Sequence, residues 1–254
     1  MSATWLLLRG LTREAAHWGG FPELLRRTLP GARVLTLDLP GNGLRHDEPS
    51  PASIGAMVAD VRDELARLGQ AGPCHVLAMS LGAMVAAEWA AQAPGDLAGC
   101  VLVNTSLRPF SPFYRRLRPR SYATLAGLAL GRHDALARES AILRLTSHDA
   151  AAHPGVLAAW IGARERHPVH NANALRQLWA ALRYRAPRQA PAVPLLLLAS
   201  ARDGLVHASC SRAIARRWGA SLALHPWAGH DLPLDDPAWV ARQVGLWVAN
   251  ELVA

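Results

Sequence analysis

Three residues of this chain have the types and the order needed for nucleophilic attack on a carbonyl carbon: Ser80, Asp203 and His230. A serine hydroxyl is a weak nucleophile at neutral pH unless a base takes its proton, and an imidazole does so best when a carboxylate fixes its orientation. Ser80 lies in Ala78-Met79-Ser80-Leu81-Gly82, after the apolar run His75–Met79 and before a small, apolar helical pattern. A serine on a sharp strand-to-helix turn projects out of the fold. Small residues two before and two after it let strand and helix approach, and the first helical N–H groups face a developing anion. The same serine could be a plain helix N-cap, so its partners decide. Asp203 follows the apolar run Leu195–Ser200, and His230 follows the run Ser221–Pro226 and precedes the last helical pattern. Taken singly, these are an ordinary turn acid and a loop histidine. In the order Ser, Asp, His, each after a strand, they specify a triad. No acid follows the run Cys100–Asn104, and Asp231, Asp235 and Asp236 read as loop and helix-start charges.

An acyl-transfer site also needs donors for the oxyanion. Arg9-Gly10-Leu11-Thr12 follows the first apolar run, with Trp18 shortly after. Gly10 permits a turn that aims the Leu11 N–H inward, and the Leu81 N–H is the second expected donor.

The elements that must position these residues alternate along the chain. Thr4–Leu8, Arg33–Leu37, His75–Met79, Cys100–Asn104, Leu195–Ser200 and Ser221–Pro226 are short apolar runs of the kind that form buried parallel strands. Helical periodicity over Ser53–Leu68, Leu81–Gln92 and Asp236–Val253 alternates with them. The expected fold class is α/β, a mostly parallel, doubly wound sheet. Between Leu107 and Ala190 the alternation stops. Ser121–Leu130, Asp134–Thr146, Pro154–Glu165 and Ala172–Arg183 read as helices, framed by Pro109, Pro112 and Pro119 and by Pro187, Pro191 and Pro194. The expected organisation is a core of residues 1–106 and 190–254, with 107–189 as an all-helical cap inserted between strands.

With 254 residues and 51% hydrophobic composition the chain can bury a large core. Cys74, Cys100 and Cys210 have neither disulfide nor metal spacing and read as small buried residues. The first residues lack the basic start and long apolar run of a secretion signal. No apolar run approaches the roughly 20 residues that span a bilayer, so a cytoplasmic location is expected. All 27 basic residues are arginine. Fourteen of them fall between Leu107 and Ala190 against four acids, so the whole positive excess sits in the helical segment. Three readings stay open: Arg115, Arg116, Arg118 and Arg120 recruiting an acidic acyl-carrier protein or coenzyme A ester, attraction to anionic membranes, or a solvated face. No nucleic-acid motif accompanies the charge.

The Ser80 pentapeptide, Asp203, Gly229-His230-Asp231 and the turn Asp38-Leu39-Pro40-Gly41-Asn42-Gly43 together resemble the α/β-hydrolase family over residues 1–106 and 190–254. Within that family the resemblance is to the serine-nucleophile branch of small capped esterases, similar to the pimeloyl-carrier-protein methyl esterases. Two positions depart from the pattern: Ala78 replaces the first glycine of G-x-S-x-G, and Arg9 stands where most members carry histidine. The resemblance implies a carboxylic-ester hydrolase acting on a small acyl ester, needing no cofactor and no metal. It also implies a structural role for the Asp38 turn. A thioesterase acting on carrier-protein or coenzyme A esters, and a non-catalytic binding protein of the same fold, are the alternatives. Phe110, Phe113, Tyr114, Leu125, Leu128, Trp160 and Trp179, with Trp18, are the expected walls of an acyl pocket.

Overall fold

The computed structural model describes residues 3–70, 72–131, 134–153 and 155–251. Short runs of Leu, Val and Ala, too brief to bury a helix and apolar on both faces, form six strands: β1 (Thr4–Leu8), β2 (Arg33–Leu37), β3 (Cys74–Met79), β4 (Leu97–Val103), β5 (Leu195–Ser200) and β6 (Ser221–His225). They build one parallel sheet in the order β2-β1-β3-β4-β5-β6. Alternate residues feed two separate cores. Leu6, Leu8, Val76, Ala78, Leu102 and Leu197 point to one side, while Trp5, Leu7, Leu77, Met79, Val103 and Leu198 point to the other.

Helices α1 (Phe21–Thr28), α2 (Ile54–Arg67) and α3 (Leu81–Gln92) occupy the first half of the chain. α3 is buried almost all round, as its composition requires. Between β4 and β5 lie α4 (Phe113–Arg116), α5 (Tyr122–Leu130), α6 (Ala135–Thr146), α7 (Val156–Arg166) and α8 (Asn171–Arg183), with no ladder strand among the described residues. An isolated bridge pairs Arg108 with Arg185, and the Ala186 N–H donates to the Arg108 carbonyl at 2.8 Å, so the two ends of this segment meet. α9 (Ser209–Trp218), α10 (Leu232–Asp235) and α11 (Pro237–Glu251) complete the chain.

Strand positions follow the expected runs closely, except that β4 begins three residues earlier and ends before Asn104. Asn104 turns out of the strand with φ 44°. The helix expected from Asp236 to Val253 is α11, starting at Pro237, with the short α10 before it as a further element; residues 252–253 lie outside the described residues, as does Pro154. α1 and α9 are additional elements. α9 buries Cys210, Ser211, Ile214, Ala215 and Trp218 in a sequence otherwise rich in arginine and serine. All three cysteines are buried and free.

The order of the strands reverses direction between β1 and β3, which are neighbours paired Leu8↔Ala78. In an open parallel sheet the crevice beyond the strand ends at such a point is where ligands bind. The first turn of α3 packs there directly on the end of β1. A side chain added at Gly82 would lie 2.5 Å from the Arg9 carbonyl oxygen and 2.7 Å from that of Leu8. Gly82→Ala is therefore expected to cost about 1–3 kcal/mol through overpacking. A urea midpoint equal to the wild-type value would contradict this.

Candidate active site

Ser80 stands at the junction of β3 and α3 with φ 55° and ψ −112°, a conformation that costs a non-glycine residue of order 1–3 kcal/mol. The surroundings hold it there: its N–H donates to the Val103 carbonyl at 3.0 Å, and its carbonyl accepts from Thr105 Oγ1 at 2.9 Å. Among the described residues Thr12 (φ 57°) and Asn104 (φ 44°) are the other non-glycine residues with positive φ, and all three follow strands or strand-end loops at this edge of the sheet. Gly10 lies against the serine side chain. A Cβ built on it would be 3.1 Å from Ser80 Cβ and 3.6 Å from Ser80 Oγ, so glycine lets the Gly10–Leu11 backbone reach the hydroxyl. Neither the Leu11 N–H nor the Leu81 N–H donates to another protein group among the described residues. Both are thus free to serve an oxyanion.

Asp203 and His230 meet across the ends of β5 and β6. His230 Nδ1 and Asp203 Oδ2 are 2.8 Å apart, and both side chains are buried. The other carboxylate oxygen accepts from the N–H groups of Leu205 (2.7 Å) and Val206 (2.9 Å), which fixes the carboxylate plane. Among the described residues no hydrogen bond joins Ser80 Oγ to His230. In enzymes without substrate such contacts are often long or poorly aligned. Sequence reasoning passed over Asn104. Its Nδ2 donates to the His230 carbonyl (2.8 Å), the Gly229 carbonyl (3.2 Å) and Ser200 Oγ (2.9 Å), and its Oδ1 accepts from Ser200 N–H, so it ties β4 and β5 to the histidine loop. An asparagine closing an otherwise apolar strand was the available signal.

Arg9 accounts for its own departure from the expected histidine. Its guanidinium makes a bidentate pair with Asp231 (2.5 and 3.1 Å), lies 3.5 Å from Met79 Sδ and sits over the Trp18 ring. The side chains of both Arg9 and Asp231 are 3% exposed. One cation therefore touches the chain neighbours of Ser80 and His230 and begins the Gly10–Leu11 loop. Asp231 and Asp235, expected as loop charges, are instead buried acceptors. Asp235 receives Gly229 N–H, Ser147 Oγ and His148 N–H. Asp236 does sit at a helix start, where it accepts from Trp239 N–H.

The helical segment rests on these same loops. The Asp231 N–H donates to the Thr146 carbonyl. Cβ atoms at Gly204 and Gly229 would lie 2.7 Å from the Leu145 oxygen and 2.5 Å from the Thr146 oxygen. Arg13 and Arg164 both pair with the buried Glu139, joining the Gly10 loop to α6 and α7. Burial pushes the Glu139 carboxyl upward, but the two guanidinium groups outweigh it and hold it below the usual carboxylate range. Arg118 and Arg120 donate to the Asp203 carbonyl, and Arg116 to the Ala181 carbonyl, so three of the four arginines expected to face a partner are turned inward to backbone. Trp160 packs between Arg13 and His17, Trp18 stacks on Phe21, and Phe110 meets Trp218 edge-on. Phe113, Tyr114 and Trp179 lie at the surface.

Two outcomes are expected from these buried charges. Arg9→Met strands a buried carboxylate and should cost about 3–5 kcal/mol, whereas Arg9→Met combined with Asp231→Leu should recover most of the loss. Denaturant titration of both variants checks this. Burial, and then the positive charges of Arg13, Arg9 and Arg164, hold His17 well below 6.5. The unfolded chain therefore binds a proton that folded His17 refuses, so stability is fully present above about pH 6.5 and falls as pH drops, at up to about 1.4 kcal/mol per unit. In His17→Gln the slope between pH 7 and 5 should be shallower, and an unchanged slope would contradict this origin.

The profile described as "Alpha/beta hydrolase family" matches residues 5–243. No curated protein matches by sequence. The fold is similar to that of a thermophilic esterase from Thermogutta terrifontis (TM-score 0.77, 23% identity, covering 98% of this chain and 90% of that one). It is also similar to the enol-lactonase of Burkholderia xenovorans LB400 (0.80, 18%, 98% and 92%) and to a hydrolase from Pseudomonas aeruginosa PA01 (0.73, 22%, 97% and 90%). With a family match over nearly its whole length and a single parallel sheet, the chain belongs to the α/β-hydrolase family.

Proposed function

We propose that the protein is a serine hydrolase of carboxylic esters, with Ser80 as nucleophile, His230 as general base and acid, and Asp203 as the group that orients His230. The observation that carries this reading is the buried Asp203–His230 hydrogen bond, taken together with Ser80 on a strained turn at the end of β3. In the reaction Ser80 Oγ bonds to the acyl carbon as its proton passes to His230 Nε2, and the carbonyl oxygen becomes an oxyanion held by the Leu11 and Leu81 N–H groups. Collapse breaks the acyl–oxygen bond, and the leaving alcohol takes the proton from His230. Water, activated by the same histidine, then releases the acid and restores the serine. Asp203 stays ionised and stabilises the imidazolium. Removing an oxyanion donor in such a site costs about 3–4 kcal/mol of transition-state stabilisation. Residues 107–189 act as the cap over this site, held by Glu139, Thr146 and Gln177. Two of the structural neighbours carry the names esterase and enol-lactonase, which supports acyl–oxygen cleavage as the reaction class.

A fluorophosphonate probe should label the wild-type protein and fail to label Ser80→Ala, which should also lose hydrolysis of short nitrophenyl esters. Asp203→Asn should lower kcat by about 10⁴-fold while the protein stays folded. Absence of labelling in the wild-type protein would sink the reading. Faster turnover of coenzyme A or carrier-protein thioesters than of any oxygen ester would move it to a thioesterase.

A further inference from the structure

The helix α8 is inside out. Leu175, Leu178, Trp179 and Leu182 recur at the i, i+3, i+4, i+7 spacing that normally marks a core-facing stripe. Here they face outward, with Leu175 59% and Trp179 53% exposed. The inward face carries Asn173, Gln177 and Ala180. Gln177, fully buried, accepts from Thr12 N–H at 2.8 Å and donates to Asn42 Oδ1 and Ser50 Oγ. Asn173 accepts from Ser50 N–H and donates to the Glu48 carbonyl. Rolling the helix to hide its leucines would break these five hydrogen bonds and strand buried polar groups, so the apolar stripe is locked on the surface.

The stripe continues onto α4. Arg116 donates to the Ala181 carbonyl and Arg108 to that of Leu182, which seats α4 beside the second half of α8. Phe113 of α4 is 72% exposed and Tyr114 is 48% exposed. Exposed arginines border the stripe. Arg176 and Arg183 are exposed on α8, Arg183 lies over the Trp179 ring, and Arg115 is exposed on α4. Residues 107–131 and 166–190 contain ten arginines and no acid, although Arg116, Arg118 and Arg120 among them are turned to backbone carbonyls.

We propose that this face docks on an anionic lipid surface, with α8 lying in the plane of the interface. Leucine and aromatic side chains bordered by arginine match the chemistry of the headgroup boundary, where an amphipathic ring keeps one edge apolar and the other wet. A second copy of the chain is a poor occupant, because two-fold packing would set the exposed Arg176 and Arg183 against their own copies. No helix among the described residues is long and apolar enough to cross a membrane, so the contact is peripheral. The inference does not depend on the catalytic reading.

Sedimentation with vesicles tests it, using phosphatidylcholine alone and phosphatidylcholine with about 30% phosphatidylglycerol at about 0.1 M salt. The full chain should pellet with the anionic vesicles and far less with the neutral ones. Trp179→Ser with Leu182→Ser should weaken binding about tenfold or more with an unchanged thermal midpoint, since both residues are exposed. Arg176→Gln with Arg183→Gln should weaken it by about fivefold per arginine. No pelleting with anionic vesicles would overturn the proposal, as would pelleting that the Trp179/Leu182 variant retains in full. Light scattering that finds a dimer dispersed by that variant would assign the face to a second copy. Saturable binding of an acidic acyl-carrier protein, lost in that variant while vesicles stay unbound, would assign it to a protein partner.

Discussion

A guanidinium removed from water needs its charge and its donors met by fixed groups, because leaving either open costs several kcal/mol. Arg9 meets most of that demand: its two terminal nitrogens pair with Asp231, one of them also reaches the Met79 sulfur, and the Trp18 ring covers the guanidinium, while Nε has no protein partner among the described residues. Arg9 stands at the end of β1, Met79 at the end of β3 and Asp231 beyond the end of β6, ends that are far apart in sequence. The same ends carry the Gly10–Leu11 loop, Ser80 and His230. Satisfying one buried cation therefore draws together the three loops whose mutual placement decides whether acyl chemistry is possible. A histidine at this position could offer neither a bidentate pair nor a charge at every pH.

The arginines of the helical segment divide by what they touch. Arg116, Arg118 and Arg120 spend their donors on carbonyls of α8 and of the Asp203 loop, while Arg164 joins Arg13 on Glu139. Guanidinium forks are suited to this: Arg120 alone serves the carbonyls of both Asp203 and Gly204. The result is a helical segment attached to the sheet mainly by charged and polar contacts, at Glu139, Asp235, Asn173 and Gln177. Such contacts hold their geometry only while every member is paired. The outward stripe of α8 is a consequence: its polar residues are held inward by their hydrogen bonds, and the leucines have nowhere else to go.

Much of this was legible in one chain. The six parallel strands follow from short apolar runs, because a strand covered on both faces has no polar side to show. Ser80, Asp203 and His230 could be picked out because each follows such a run, and strand order makes their ends coincide. Gly10 and Gly82 were visible as glycines, but the clash that requires glycine at Gly82 is with carbonyls of β1, which no local pattern reveals. Asn104, Asp231 and Asp235 were not separable from ordinary strand-end and loop polar residues, since their partners lie about 90 to 220 positions away.

Composition, periodicity and residue order by themselves determined the class of fold, the helical interruption and the candidate nucleophile, base and acid. These depend on local patterns repeated along the chain. Tertiary structure alone decided that Arg9 is a buried clamp, that three arginines of the basic segment turn inward, and that α8 shows its apolar face to solvent. Each of these turns on which hydrogen-bond partner a polar group finds across space, and spacing along the sequence carries no record of that choice.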